Sequence, residues 1–134
     1  MADLGTGAGF PGLVVEIFNK NKAFHVKLYE KSPVKRRFLM EVIKELSLNA
    51  EVLGDVRDEV IDSQIIICRA FKKLDQIIQV SREIAKKPHK LIILKGQNAQ
   101  KEINNSFQTQ KYSYKLETSM TNKDSKIILM EINK

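Results

Sequence analysis

The sequence has little of several residue types, and each scarcity excludes a class of protein. Its single cysteine, Cys68, allows no internal disulfide and fits a reducing cytosol. It has two histidines and no cluster with metal-ligand spacing, so we expect no metal site. No apolar run reaches about 18 residues, so we expect no membrane span. The sequence has no charged start followed by an apolar segment, so we expect no secretory signal. We therefore expect a cytoplasmic protein.

The chain does have enough apolar residues for a core and an excess of positive charge. At 134 residues, 43% of them hydrophobic, we expect one domain spanning residues 1–134. The net charge of +7 suits a polyanionic partner, although a basic surface often serves only solubility.

Glycine is also scarce, but four of the six glycines fall within eight positions, at residues 5, 7, 9 and 12. An apolar helical stripe follows at residues 10, 13, 14 and 17, which predicts a strand, a tight glycine loop and a helix. Glycine permits positive φ and close backbone approach, and Pro11 suits a first helical turn. A helix start behind such a loop offers free N–H groups to a carboxylate or phosphate.

The loop fits two ligand motifs. Gly7-x-Gly9-x-x-Gly12 matches the dinucleotide fingerprint G-x-G-x-x-G, while Asp3-x-Gly5-x-Gly7-x-Gly9 matches the first motif of S-adenosylmethionine-dependent methyltransferases. A glycine-rich turn without a ligand is the third interpretation.

The complete decapeptide at residues 3–12, Asp-Leu-Gly-Thr-Gly-Ala-Gly-Phe-Pro-Gly, closely resembles the loop of the GidB/RsmG family. That family methylates N7 of a guanine in 16S ribosomal RNA. The resemblance implies S-adenosylmethionine as cofactor, S-adenosylhomocysteine as product, and 16S ribosomal RNA or the small ribosomal subunit as partner. We expect a monomer that contacts no membrane. The implied cofactor-binding residues are Asp3, Gly5, Thr6, Gly7, Gly9, Phe10, Glu30, Asp55, Val56 and Arg69, and the implied catalytic residues are Arg69 and Lys95.

Strand and helix patterns alternate along the chain. The predicted strands are residues 2–5, 24–30, 51–53, 64–68, 91–94, 111–119 and 126–132. The predicted helices are residues 10–20, 33 to about 49, 74 to 87 before Pro88, and 97–106. This order predicts an α/β fold with a parallel, doubly wound sheet and helices on both faces. The last two strands are predicted to form an antiparallel hairpin, which fits the Rossmann-like class I methyltransferase fold.

The ligand candidates lie at predicted strand ends, where open α/β sheets bind ligands. Glu30 ends the second strand, 18 residues past Gly12, near the spacing of a ribose-binding acid. Its carboxylate can accept both ribose hydroxyls of an adenosine. A solvated strand-end acid is the alternative.

Asp55 follows the third strand and has two equally supported roles. It can accept from an adenine amino group, or cap the next turn with Asp58 three residues on. Members of the resembled family usually have an arginine, a small residue and an acid here. Residues 54–57 of this chain read Gly-Asp-Val-Arg, so the charges are exchanged, and Val56 can still offer a backbone N–H to an adenine ring nitrogen.

After the fourth strand, Arg69 can pair with a carboxylate or an RNA phosphate. Phe71 is expected to pack in the core rather than stack on a base, and Cys68 to be a small buried hydrophobe. Lys95, after the fifth strand, can bind phosphate or orient guanine through O6. A surface position is the alternative for Arg69.

Both histidines, His25 and His89, are expected to be structural and without a partner. Several lysines and arginines follow strand ends or flank helices, and some are expected to track a phosphate backbone on the ligand face. They are Lys31, Lys35, Arg36, Lys72, Lys73, Lys86, Lys87 and Lys90.

The sequence shows no obvious general base. Guanine N7 carries a lone pair and no proton, so its methylation needs none and can proceed by proximity and alignment. Members of the resembled family begin with several helices before the glycine loop. The resemblance therefore implies a methyltransferase domain without those helices. A non-catalytic RNA-binding remnant and a nicotinamide-dependent oxidoreductase are the alternatives.

Overall fold

The structure, a computed structural model, describes residues 1–107 and 112–133. Strands and helices alternate through this part of the chain, as predicted. The strands are β1 (Ala2–Leu4), β2 (Val26–Tyr29), β3 (Ala50–Leu53), β4 (Ile65–Arg69), β5 (His89–Lys95), β6 (Tyr114–Thr118) and β7 (Lys126–Ile132). The helices are α1 (Gly12–Phe18), α2 (Pro33–Leu46), α3 (Leu74–Ile84) and α4 (Ala99–Ser106), with a 3₁₀ helix at Val56–Asp58.

The strands form one sheet in the order β3-β2-β1-β4-β5-β7-β6. β1 to β5 pair in parallel, and β7 runs antiparallel between β5 and β6. The predicted parallel sheet and its antiparallel hairpin are confirmed. The predicted strand at residues 111–119 starts at Lys111, which lies outside the described residues; β6 occupies its later part. The order reverses between β1 and β4, so a ligand crevice is expected at the carboxyl ends of these strands.

Helices cover both faces of the sheet, and the apolar cluster is larger on one face than on the other. α1 and α2 pack on β2 and β3 around Leu13, Val26, Leu28 and Leu39. α3 and the 3₁₀ helix contribute to a larger cluster on the other face that also includes β4, β5 and β7. The stripe predicted for α3 is confirmed in full, since Leu74, Ile77, Ile78, Ser81, Ile84 and Ala85 are all buried.

The apolar faces predicted for α1 and α2 are buried only in part. α1 buries Gly12, Leu13 and Glu16, while Ile17 of the predicted stripe is half-exposed. In α2, Leu39 is fully buried and Phe38 is half-exposed. Helical periodicity identifies an apolar stripe but not how much of it the sheet can cover. Both helices pack over β2 and β3, at one side of the sheet.

Candidate functional site

The glycine loop between β1 and α1 turns through three left-handed residues. Gly5, Gly7 and Gly9 have φ of 66°, 61° and 97°. A side chain at Gly5 would collide with the ring of Phe71, whereas none of the described atoms lies within 4 Å of a Cβ built at Gly7. The helix begins at Gly12 rather than at Phe10, because these turns consume the residues before it, and Pro11 is the residue that precedes the helix. The loop thus has one glycine position open to a ligand.

Asp3 ties the loop to the helix. Its Oδ2 accepts from the Thr6 hydroxyl at 2.6 Å and from the Gly12 N–H at 2.8 Å. The side chain is fully buried, and burial raises its pKa, against the opposing effects of these two hydrogen bonds and the charge of Arg69. Its other oxygen, Oδ1, is buried and has no hydrogen-bond partner among the residues that the structure describes. A buried carboxylate oxygen of this kind can accept from a ligand.

Glu30 lies directly after β2 and holds the same loop from its other side. Its Oε2 accepts from the Gly7 N–H at 3.0 Å, and its Oε1 accepts from the Ser32 N–H at 2.9 Å. Only 6% of the residue is exposed, so it is not the solvated strand-end acid of the alternative interpretation. Ser32 also caps α2, with Pro33 at the first helical position. The carboxylate is therefore fixed beside the glycine loop.

A cavity of about 290 Å³ opens at this edge of the sheet. Its size is near the lower end for ligand pockets. Four cations and two acids stand among its lining residues, which are Gly5, Tyr29, Glu30, Lys31, Lys35, Gly54, Asp55, Val56, Arg57, Ala70, Phe71 and Lys72. We call this the first cavity. Four of the predicted cofactor-binding residues line it, namely Gly5, Glu30, Asp55 and Val56, whereas Asp3, Thr6, Gly7, Gly9 and Phe10 are not among its lining residues.

Asp55 serves as a cap, one of its two predicted roles. Its side chain accepts from the Arg57 N–H at 3.1 Å and precedes the 3₁₀ helix. The capping partner is Arg57 rather than Asp58. The Arg57 guanidinium also binds the Asp55 carboxylate, and this hydrogen bond lowers the pKa of Asp55 to about 2. Asp55 still lines the first cavity, so its adenine contact stays a prediction.

A second cavity, of about 520 Å³, lies beside the first. It is lined by Arg69, Ala70, Leu94, Lys95, Gly96, Glu102, Ser119, Ser125, Lys126 and Ile127. Arg69 and Lys95 thus line the same cavity, and their catalytic roles stay a prediction. The Arg69 guanidinium lies 5.7 Å from the ring centre of Phe10, which is half-exposed. Arg69 itself is exposed at the end of β4.

Lys95 is already engaged within the protein. Its ammonium contacts Glu102 Oε2 at 2.8 Å and donates to the Lys72 carbonyl at 2.9 Å. Glu102 Oε2 also accepts from the Leu74 N–H at 3.3 Å, at the start of α3. With only 10% of its side chain exposed, Lys95 connects β5, α3 and α4. This packing role was not visible in the sequence, because Glu102 lies on a helix that only the fold brings to Lys95.

Four further predictions concern Phe71, Cys68 and the histidines. Phe71 packs against the core, as predicted, and also lines the first cavity. Cys68 is fully buried, and burial raises its thiol pKa to about 12. His25 does have partners, contrary to the prediction: it contacts Asn49 at 2.9 Å and Glu51 at 3.3 Å. His89 is buried and its Nδ1 contacts the Lys87 carbonyl at 3.1 Å, so it also has a partner.

The predicted basic residues divide between the two ends of the sheet. Lys31, Lys35 and Lys72 line the first cavity. Lys87 instead pairs with Asp62 at 2.9 Å, just before the amino end of β5. Arg36 donates to the carbonyls of Glu30 and Lys31 and so supports the Glu30 turn.

Sequence reasoning missed Arg57 and Lys126 as cavity residues. The spacing of Asp55 and Arg57 could have indicated that Arg57 lies beside Asp55 at the cavity. The position of Lys126 follows only from how the strands pair.

Two absences apply to the described residues. None of the helices in residues 1–107 and 112–133 is long and apolar enough to cross a membrane. The same residues contain no cluster of three or more metal-ligating side chains.

Comparisons with known proteins show the family and the fold of this chain. The model of the GidB family, described as rRNA small subunit methyltransferase G, matches residues 1–129. The chain is 33% identical over 138 residues to ribosomal RNA small subunit methyltransferase G of Pelagibacter ubique, covering 100% of this chain and 64% of that protein. It is 38% identical over 131 residues to the protein of that name in Mesoplasma florum, covering 92% of this chain and 52% of that protein. The chain therefore spans half to two thirds of the length of these relatives.

Among solved structures, TYW2 of M. jannaschii in complex with AdoMet superposes with a TM-score of 0.63. The identity is 18%, and the match covers 97% of this chain and 65% of that one. At this identity the likeness shows the fold alone, and it supports the class I methyltransferase fold. Neither alternative interpretation, the RNA-binding remnant or the oxidoreductase, is favoured by the comparisons. The family match and the identities over nearly the whole chain place this protein in the GidB family.

Proposed function

We propose that this chain is an S-adenosylmethionine-dependent methyltransferase domain that acts on guanine N7 of 16S ribosomal RNA. The observation that carries the proposal is the loop around Gly7. There the backbone is open to a ligand, and two buried carboxylates, Asp3 and Glu30, flank it. Because the chain covers only part of its relatives, the activity of residues 1–134 by themselves is part of the proposal. We infer a single domain, active as a monomer in the cytoplasm.

The residues present fit this cofactor. The buried Asp3 Oδ1 has an accepting position to offer to a cationic group such as the methionyl ammonium. Glu30 and Val56 line the first cavity. There the Glu30 carboxylate can accept from the ribose hydroxyls, and the Val56 N–H can donate to the adenine ring. The remaining members of the proposed set are Gly5, Thr6, Gly7, Gly9, Phe10, Asp55 and Arg69.

The chemistry asks little of the protein beyond positioning. The bound cofactor supplies an electrophilic methyl group on a sulfonium centre. Since guanine N7 has no proton to remove, the protein needs to hold the base in line and exclude competing water. Cys68 is fully buried and burial raises its pKa, which disfavours a covalent route through this thiol. Arg69 and Lys95 are the proposed catalytic residues, because both line the second cavity.

Calorimetric titration tests the cofactor assignment directly. S-adenosylmethionine and S-adenosylhomocysteine are expected to bind the 134-residue chain more tightly than NAD, because Asp3 Oδ1 can accept from their methionyl ammonium, a group that NAD lacks. NAD binding that equals or exceeds S-adenosylhomocysteine binding in the same experiment would remove the proposal.

A pair of variants separates the two catalytic candidates. If Arg69 holds the methionyl carboxylate, Arg69→Lys should weaken cofactor binding although it keeps the charge, because lysine lacks the planar fork. Lys95→Met should spare cofactor affinity and lower methyl transfer to ribosomal RNA. It should also lower the melting temperature, since it removes the ion pair with Glu102.

Titration calorimetry and methyl-transfer assays on both folded variants check this assignment. Loss of cofactor binding with Lys95→Met, but not with Arg69→Lys, would reverse the two roles. Unchanged cofactor affinity in both variants would place the cofactor elsewhere.

A further inference from the structure

The two cavities meet at one residue. Ala70 lines both of them and has a φ of 49°, in the left-handed region that residues with a side chain rarely adopt. Its backbone lies between Arg69, which lines the second cavity, and Phe71, which lines the first. Strained backbone of this kind is often found where a ligand site is built. A ligand in the second cavity would therefore be adjacent to one in the first.

The second cavity has an apolar part and a polar part. Leu94 and Ile127 are paired in adjacent strands and are partly exposed there. The polar part is supplied by the end of β6 and the start of β7, through Ser119, Ser125 and Lys126. An apolar pair of side chains with hydroxyls and a cation nearby can contact an unpaired base and its phosphate.

The charges of this cavity favour an anion. Three cations and one acid line it, and the acid, Glu102, is paired with Lys95. That pairing leaves the positive charge on Arg69 and Lys126. Lys126 donates to the Thr118 hydroxyl at 3.0 Å and to the Lys123 carbonyl at 3.2 Å, both uncharged partners. These bonds hold the ammonium at the turn without neutralising it.

We propose that Lys126, with the hydroxyls of Ser119 and Ser125, binds the phosphate of the RNA nucleotide that is methylated, while Leu94 and Ile127 contact its base. This inference rests on the proposed function and assigns an RNA contact to the β6–β7 turn, residues 119–125 with Lys126. Lys126 is then a positioning residue: it fixes the backbone of the target nucleotide and leaves cofactor binding unchanged.

The test measures RNA binding by fluorescence anisotropy at several salt concentrations, with S-adenosylhomocysteine present. The probe is a short single-stranded RNA that contains guanine. Lys126→Gln is expected to weaken binding roughly three- to tenfold, and to reduce the slope of log affinity against log salt by about 0.7, the value for one phosphate contact on a single strand. Lys126→Arg should restore both. Affinity for S-adenosylhomocysteine should be the same in all variants.

Lys90→Gln is the matched control. Lys90 is an exposed residue of β5, paired with Glu131 in the strand register, whereas Lys126 is paired with Lys95 at the other end. The two lysines therefore lie roughly 16 Å apart along the strand direction. Lys90→Gln makes the same change in net charge and should leave the salt slope unaltered.

Three outcomes would overturn the inference. Equal affinity and slope for Lys126→Gln and Lys90→Gln would show that net charge alone matters. A parent chain that binds S-adenosylhomocysteine but no RNA would also overturn it, and in both cases the cofactor assignment would stand. If S-adenosylhomocysteine fails to bind the parent chain, the proposed function and this inference fall together.

Discussion

Gly7→Val is expected to abolish binding of S-adenosylhomocysteine while the chain remains folded. Gly7 has a φ of 61°, and the described atoms leave the space around a Cβ at this position open within 4 Å. A valine would fill that space, and its branched side chain is strained at positive φ. It would also disturb the Gly7 N–H that donates to Glu30. We expect an affinity loss of at least about 100-fold, or about 2.7 kcal/mol.

Two further variants make this result interpretable. Gly7→Ala carries the positive-φ penalty with a smaller side chain, so its loss of affinity should be intermediate. Gln64→Val places the same side chain at an exposed position before the amino end of β4, at the opposite end of the sheet from the loop, and should leave cofactor affinity unchanged. Calorimetry measures affinity, and circular dichroism checks folding. Unchanged affinity in a folded Gly7→Val protein would mean that the loop is only a turn.

Gly12→Ala is expected to destabilise the fold itself. A Cβ at Gly12 would lie 2.5 Å from Leu28 Cδ2 and 2.7 Å from Asp3 Oδ2, and both residues are fully buried. It would therefore push against the β2 core and disturb the hydrogen bond from the Gly12 N–H to Asp3. Overpacking of this kind costs about 1–3 kcal/mol, which exceeds the gain of up to about 1 kcal/mol from the higher helix propensity of alanine.

Thermal denaturation of Gly12→Ala measures this cost, with an expected drop of roughly 3–4 °C in melting temperature per kcal/mol. Gly54→Ala is the matched control, because a Cβ there meets none of the described atoms within 4 Å, and its melting temperature should stay near that of the parent. A Gly12→Ala protein as stable as the parent would show that α1 and β2 separate easily enough to admit a methyl group.

Gly7 and Gly12 show what can and cannot be predicted from the sequence. The glycine spacing predicted the loop, and it placed Gly5, Gly7 and Gly9 where left-handed backbone occurs. It could not separate Gly7, which is open, from Gly12, which is enclosed by Leu28 and Asp3. That distinction depends on which strand packs under α1.

The same contrast holds for the charged residues. The position of Glu30 at a strand end predicted that it lies beside the glycine loop, because the carboxyl ends of parallel strands share one edge of the sheet. It could not show that Asp55 is held by Arg57, or that Lys95 is held by Glu102. His25 was predicted without a partner, and the alignment of β2 with β3 supplied Glu51 as one.

The sequence by itself determined the order of strands and helices, the glycine positions of the loop and the family resemblance. These depend on residue periodicity and on local backbone preference, which act between neighbours in the chain. Only the tertiary structure decided which side chains pair, which apolar faces the helices cover, and that Lys126 joins Arg69 in one cavity. Such contacts join residues far apart in the chain, and strand order and register, rather than any local pattern, determine which of them meet.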